Sequence, residues 1–318
     1  MSFKERLSAI LVGDKEKTDA VGENKSAEDA IVGNGNEDAN VDNGNEDAIV
    51  GNGNENAGGG NGNENAGALG GSAKAKKTKR LYITLLSVAA VLILLTVVGA
   101  IYVNDYYRAE DEAIADAIGS DGSVEISEIR DGVIAFIPEG DSEVGFIFYP
   151  GGKVEYTAYI PLMYAMAERG VLSVLCEMPF NLAVLNVNAA DGITEQFSEV
   201  RDWYIGGHSL GGSMAASYLD GHPEIAGLVL LGSYSTADVS DKRVISIYGE
   251  RDGVMNREKY EQYRSNLPSD FAEVVIEGGN HAYFGMYGEQ DGDGRADITP
   301  TVQIEITANE ISKFIYNR

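Results

Sequence analysis

Tyr204-Ile205-Gly206-Gly207-His208-Ser209-Leu210-Gly211-Gly212 is the stretch on which the fold is decided. An apolar run over Tyr204 to Gly206 reads as a strand, Leu210 to Leu219 reads as a helix, and between them Ser209 sits among glycines. Gly-x-Ser-x-Gly is a weak signal by itself. Set between a strand and a helix it has a mechanical meaning, because a sharp turn lifts the serine Oγ above the sheet and small neighbours permit the strained backbone. The competing reading of Ser209 is an ordinary helix cap.

Outward from this turn, short apolar runs recur: Val144 to Tyr149, Val171 to Cys176, Leu228 to Leu231, Val244 to Tyr248 and Glu273 to Ile276. Such runs are typical of strands buried on both faces of a parallel sheet. Helical stretches fit at Tyr156 to Glu168, Glu258 to Asn266 and Val302 to Tyr316. Upstream, Val124 to Ile129 and Val133 to Ile137 flank an Asp131-Gly132 turn and predict an antiparallel start. The alternation argues for a doubly wound, mostly parallel α/β domain over 124–318. Only Gly232 to Arg243 separates two of its strands, too little for both crossings and an apolar lid.

Function in such a sheet gathers at the carboxyl ends of its strands. A serine hydroxyl needs a base to take its proton, and the base needs an anion to fix its tautomer. Asp252 and His281 each follow a predicted strand, in the order serine, acid, histidine. Glu250, Asp238 and Asp241 also stand near strand ends, and His208 and His222 complete the histidines. Backbone N–H donors must meet the oxyanion. The Leu210 amide is one candidate; the Gly152 amide in Tyr149-Pro150-Gly151-Gly152-Lys153 is the other, with the Lys153 amide behind it.

Together with Met178-Pro179-Phe180-Asn181-Leu182-Ala183, these motifs make 124–318 resemble a compact α/β-hydrolase of the dienelactone-hydrolase-like branch. The resemblance implies a serine hydrolase with Ser209, Asp252 and His281 as its triad, here with serine where better-known members of the branch carry cysteine. The substrate expected is a small-molecule or polymer-borne carboxylic ester, cleaved through an acyl-enzyme. The motifs call for no cofactor and no metal. A catalytically silent α/β-hydrolase domain that serves as a cell-surface binding module is the alternative. Asp291-Gly292-Asp293-Gly294-Arg295-Ala296-Asp297 resembles the start of a calcium loop, but Val302 stands where the closing Glu belongs, so it reads as a solvated acidic loop.

Leu81 to Val103 has no charged residue, and its 23 residues span about 34 Å as a helix, against roughly 30 Å of hydrocarbon. Lys74, Lys76, Lys77, Lys79 and Arg80 precede it, whereas Asp105, Glu110, Asp111, Glu112 and Asp116 follow. The positive-inside rule then predicts a single-pass protein in the cell membrane, with 1–80 cytoplasmic and the catalytic domain outside. Residues 104–123 are expected to be a juxtamembrane linker. In 1–80 the tetrapeptide Asn-Gly-Asn-Glu recurs every nine residues from Asn34 to Asn61, an acidic spacer too poor in apolar surface to fold. Ser2 to Val12 has the spacing of one short amphipathic helix. The net charge of −26, mostly carried after Val103, argues against nucleic acid as a partner. Cys176 is the single cysteine, which excludes intrachain disulfides and cysteine-based zinc sites.

Overall fold

The computed structural model describes Glu5 and residues 71–118 and 123–317. The expectations for the nine-residue repeats and, Glu5 apart, for Ser2 to Val12 lie outside the described residues. The described chain divides into two units, with the boundary between Val97 and Val98.

Helix α1 (Gly71–Asn104) contains Lys77–Asn104, with a mean hydropathy of 2.7, the one stretch among the described residues long and apolar enough to cross a membrane. Its Leu, Ile and Val side chains are exposed all round, as suits a helix whose neighbour is lipid. Two of its hydroxyls turn back to the backbone, Ser87 Oγ to the Ile83 carbonyl at 2.9 Å and Thr96 Oγ1 to that of Leu92 at 2.8 Å. No polar group of theirs is left facing hydrocarbon.

The second unit is built on eight strands: β1 (Val124–Arg130), β2 (Val133–Pro138), β3 (Val144–Tyr149), β4 (Leu172–Cys176), β5 (Asp202–His208), β6 (Ile225–Leu231), β7 (Arg243–Gly249) and β8 (Ala272–Ile276). Their spatial order is β1-β2-β4-β3-β5-β6-β7-β8. β2 runs antiparallel to β1 and to β4, and all other neighbours are parallel. Helices α2 (Asp111–Ala117), α3 (Ile160–Glu168), α4 (Leu210–Leu219), α5 (Arg257–Tyr263) and α6 (Pro300–Tyr316) accompany it. This is the mostly parallel α/β sheet expected, without a large lid.

Alternation along β3 divides the core. Phe146 and Phe148 pack with Ile160, Leu162, Ile304 and Ile311 of α3 and α6, and Ile147 and Tyr149 pack with Ala215, Ala216 and Leu219 of α4. Because β3 lies between β4 and β5, the strand order reverses there, and the carboxyl ends of β3 and β5 face a shared crevice. Two crossovers differ from the helical pattern: β4 and β5 are joined by single 3-10 turns at Pro179–Asn181, Ala183–Leu185 and Thr194–Gln196, and β6 and β7 by a connection without a helix.

The stretch read as a linker makes contacts of its own. The Tyr107 amide donates to the Lys153 carbonyl at 2.8 Å, the Glu155 amide returns to Tyr107 at 2.9 Å, and Ile114 on α2 is fully buried. Apolar residues spaced through the acidic sequence anchor it to the sheet domain.

Candidate active site

Ser209 joins β5 to α4 at φ 51° and ψ −120°, a backbone region that costs a non-glycine residue about 1–3 kcal/mol. Surrounding hydrogen bonds hold the turn. The Ser209 amide donates to the Leu231 carbonyl at 2.9 Å, and Ser233 Oγ donates to the Ser209 carbonyl at 2.7 Å. Gly211 is required next to it, since a Cβ there would collide with the Tyr149 and Pro150 carbonyls. Ser209 occupies the N-cap position of α4, but its side chain caps nothing. The capping role weighed for it is therefore absent, and its hydroxyl is on a half-exposed residue.

Asp252 follows β7 and His281 follows β8. Asp252 Oδ2 lies 2.8 Å from His281 Nδ1, and both side chains are buried, at 0% and 1% exposure. The other carboxylate oxygen of Asp252 accepts the Val254 and Met255 amides at 2.9 and 2.8 Å. Burial works to raise the Asp252 value, but the hydrogen bond and charge of His281, with the two amides, outweigh it and hold the carboxyl below its ordinary range. A carboxylate in this position accepts a hydrogen bond from Nδ1–H of His281 and so holds the proton on Nδ1, leaving the Nε2 lone pair as the basic site. No group among the described residues bonds that nitrogen.

Two of the other acids near strand ends, Glu250 and Asp238, are engaged elsewhere. Glu250 accepts the Gly278 amide at 3.1 Å, and Asp238 accepts that of Ser240 at 3.1 Å. His222 stacks on Tyr218 with ring centroids 3.8 Å apart. His208 is buried, with Nδ1 2.8 Å from the Tyr159 hydroxyl. Burial first, and then the neighbouring His281, hold its imidazole well below the ordinary histidine value, so it stays neutral.

Gly232 links the elbow to the acid–histidine pair. A Cβ on it would lie 2.9 Å from His281 Nδ1 and 3.1 Å from Asp252 Oδ2. The same residue lines a pocket of about 230 Å³ with Ser209, Leu210, Tyr234, Val254 and Met255. Across it, the β3 loop approaches α4 closely: a Cβ on Gly152 would lie 3.0 Å from Leu210 Cδ2 and 3.3 Å from Leu210 Cβ. Among the described residues, neither the Gly152 nor the Leu210 amide donates to a protein acceptor. The Lys153 amide, the second choice for the loop, is taken by the Asn181 carbonyl at 2.8 Å. From sequence, Tyr159 stands among tyrosines that either line an aromatic pocket or pack ordinarily; the hydrogen-bonding role was missed, for its hydroxyl also accepts the Gly151 amide at 3.1 Å.

Fold and site define a member of the α/β-hydrolase class. The family model for the alpha/beta hydrolase family matches residues 145–305, half of the chain, and the chain belongs to that family. Among curated proteins, none matches. Similar solved structures include TT1662 from Thermus thermophilus, 15% identical over 61% of this chain and 99% of that one, with a TM-score of 0.45. Esterase 2 of Thermogutta terrifontis, phosphoramylated by tabun, is 14% identical over 61% of this chain and 96% of its own, also at 0.45. A CIB-like hydrolase from Thermoplasma acidophilum is 14% identical over 60% and 97%, at 0.42.

Proposed function

We propose that this chain is a membrane-anchored, extracytoplasmic serine hydrolase of carboxylic esters, of the dienelactone-hydrolase-like branch. The observation that carries the reading is the buried Asp252–His281 hydrogen bond beside the pocket that contains Ser209.

In this reading Ser209 Oγ attacks the ester carbonyl carbon while His281 Nε2 takes its proton, and Asp252 stabilises the imidazolium. The carbonyl π electrons move onto oxygen, where the Gly152 and Leu210 amides donate hydrogen bonds to the negative charge, each donor contributing roughly 3 kcal/mol. Collapse breaks the bond to the alcohol oxygen, which leaves with the proton from His281. Water then attacks the acyl-enzyme by the same route, releasing the acid and restoring Ser209. The residues of 81–103 span the membrane, with 1–80 on the cytoplasmic side and 104–123 joining the span to the hydrolase domain at 124–318; the basic flank before the span and the acidic flank after it support this orientation.

Labelling of the detergent-solubilised full chain by a fluorophosphonate probe tests the reading. Ser209 is expected to be the labelled residue, and Ser209→Ala to abolish both labelling and ester turnover. A wild-type chain that neither labels nor hydrolyses any ester would leave the binding-module alternative in its place.

A further inference from the structure

The acidic loop Asp291 to Asp297 has a use that its sequence conceals. Asp293 Oδ1 accepts the Gly253 amide at 3.0 Å and the Gly294 amide at 2.8 Å, while its Oδ2 accepts the Ala282 amide at 2.8 Å. Gly253 follows Asp252 directly, and Ala282 follows His281. One carboxylate therefore ties together the two loops, from different strands, that carry the proposed acid and base. We propose that Asp293 is a positioning residue, a clasp that fixes the Asp252 loop against the His281 loop so that the carboxylate and imidazole meet in line.

The surroundings support a clasp rather than a solvated turn. The acidic loop is pressed onto the acid loop, for a Cβ on Gly253 would lie 2.6 Å from the Gly292 carbonyl oxygen. Asn280 Nδ2 donates to the Gly294 carbonyl at 3.1 Å, which ties the loop to the residue before His281. At the loop's far end Asp297 pairs with Arg251 at 2.7 Å, and its amide donates to Gly278 at 2.7 Å. Both flanking loops are held twice. A carboxylate is the group this place needs, because it is acceptor-only and can serve three N–H donors at once. Asparagine of the same shape would turn an NH2 group toward one of those donors, leaving it unpaired. Of the alternating acids that resemble a calcium loop, Asp293 is thus engaged with backbone amides and Asp297 with the Arg251 guanidinium.

The inference rests on the proposed hydrolase reading, and its test uses readouts that stand apart from turnover. In ¹⁵N-labelled full chain in detergent, the Gly253, Ala282 and Gly294 amides are expected to exchange slowly with solvent deuterium, as three donors held by one carboxylate. Fast exchange of any of the three would overturn the clasp, whether or not any variant folds. Asp293→Asn is then compared with Asp291→Asn, an exposed neighbour in the same loop. The low-field Nδ1 proton of His281, identified by its loss in His281→Gln, should broaden or vanish in Asp293→Asn and persist in Asp291→Asn. With p-nitrophenyl acetate, kcat should fall about 10- to 100-fold in Asp293→Asn while KM changes less than about threefold, as expected when reacting groups are displaced rather than binding lost. A folded Asp293→Asn with wild-type kcat and an intact low-field proton would refute the proposal. If the amide and imidazole signals behave as expected while the wild type cleaves no ester, the functional reading fails and the clasp stands.

Discussion

The Tyr159 hydroxyl bridges His208 Nδ1 at 2.8 Å and the Gly151 amide at 3.1 Å, joining the residue before the elbow serine to the loop that presents Gly152. Tyr159 is fully buried at the start of the helical segment after that loop, so water cannot replace either bond. Tyr159→Phe removes the oxygen and strands an N–H and an imidazole nitrogen. The expected cost is about 1–3 kcal/mol per stranded group, seen as a thermal midpoint lowered by several degrees. Activity should fall as well, because the Gly151-Gly152 backbone loses its tie. A variant with wild-type stability would mean that the network contributes nothing.

Ser209 combines function with strain, and the two can be separated. At φ 51° and ψ −120° a glycine is at ease, so Ser209→Gly should raise stability by about 1 kcal/mol, net of the extra freedom glycine has when unfolded. Ser209→Ala keeps the strain and should not gain. Both should lack turnover. Denaturant melts of the three proteins check this, and equal stability of Gly and Ser would place the strain elsewhere.

His208 predicts a pH effect on stability. Its folded-state value is depressed by burial and by His281, so the folded protein resists a proton that the unfolded chain accepts. This group's contribution is therefore complete above about pH 6.5 and is lost as pH falls below it, at up to about 1.4 kcal/mol per pH unit. His208→Asn, which keeps an acceptor near the Nδ1 position, should flatten that slope. Chemical denaturation at pH 7.5 and 5.5 measures it, and parallel losses in both proteins would assign the acid sensitivity to other groups.

For the acid, Asp252→Asn should preserve the loop but favour the wrong His281 tautomer, lowering kcat by roughly 10⁴ by analogy with other triads. Glu250→Gln should change turnover little, since its carboxylate binds the Gly278 amide instead. Reversed outcomes would move the acid to Glu250.

What the sequence made legible follows from what kind of interaction each feature uses. β3 was readable to the residue at Val144–Tyr149 and α4 at Leu210–Leu219, because an unbroken apolar run and a glycine-bounded serine are local signals. Ser209, Asp252 and His281 could be singled out because strand ends are where this topology gathers polar side chains. Asp293 was not legible. Its three partners are backbone amides, two of them from other loops, and main-chain donors leave no mark in a side-chain pattern. The docking of Asp105 to Ile118 was hidden similarly, since Ile114 and Ile118 are diluted among acids that dominate the composition. The 3-10 turns between β4 and β5 lack a helical period from which to read them.

Substrate size follows from the pocket beside Ser209. Its volume of about 230 Å³, bounded by Leu210, Tyr234, Val254 and Met255, suits an acyl group of a few carbons. Between β6 and β7 the chain from Gly232 to Lys242 forms no helix, so that connection supplies no cover for a longer tail. An enclosed tunnel rewards every added methylene by about 0.8 kcal/mol, whereas a small pocket opening to water stops doing so once it is filled. The preferred substrates are therefore expected to be short acyl esters, or short acyl groups carried on an accessible polymer. Values of kcat/KM for p-nitrophenyl esters from about two to sixteen carbons should rise over the first few members and then level or fall, the gain per carbon ending where the pocket does. A steady rise to the longest chains would show that another part of the protein, or the membrane itself, covers the acyl tail.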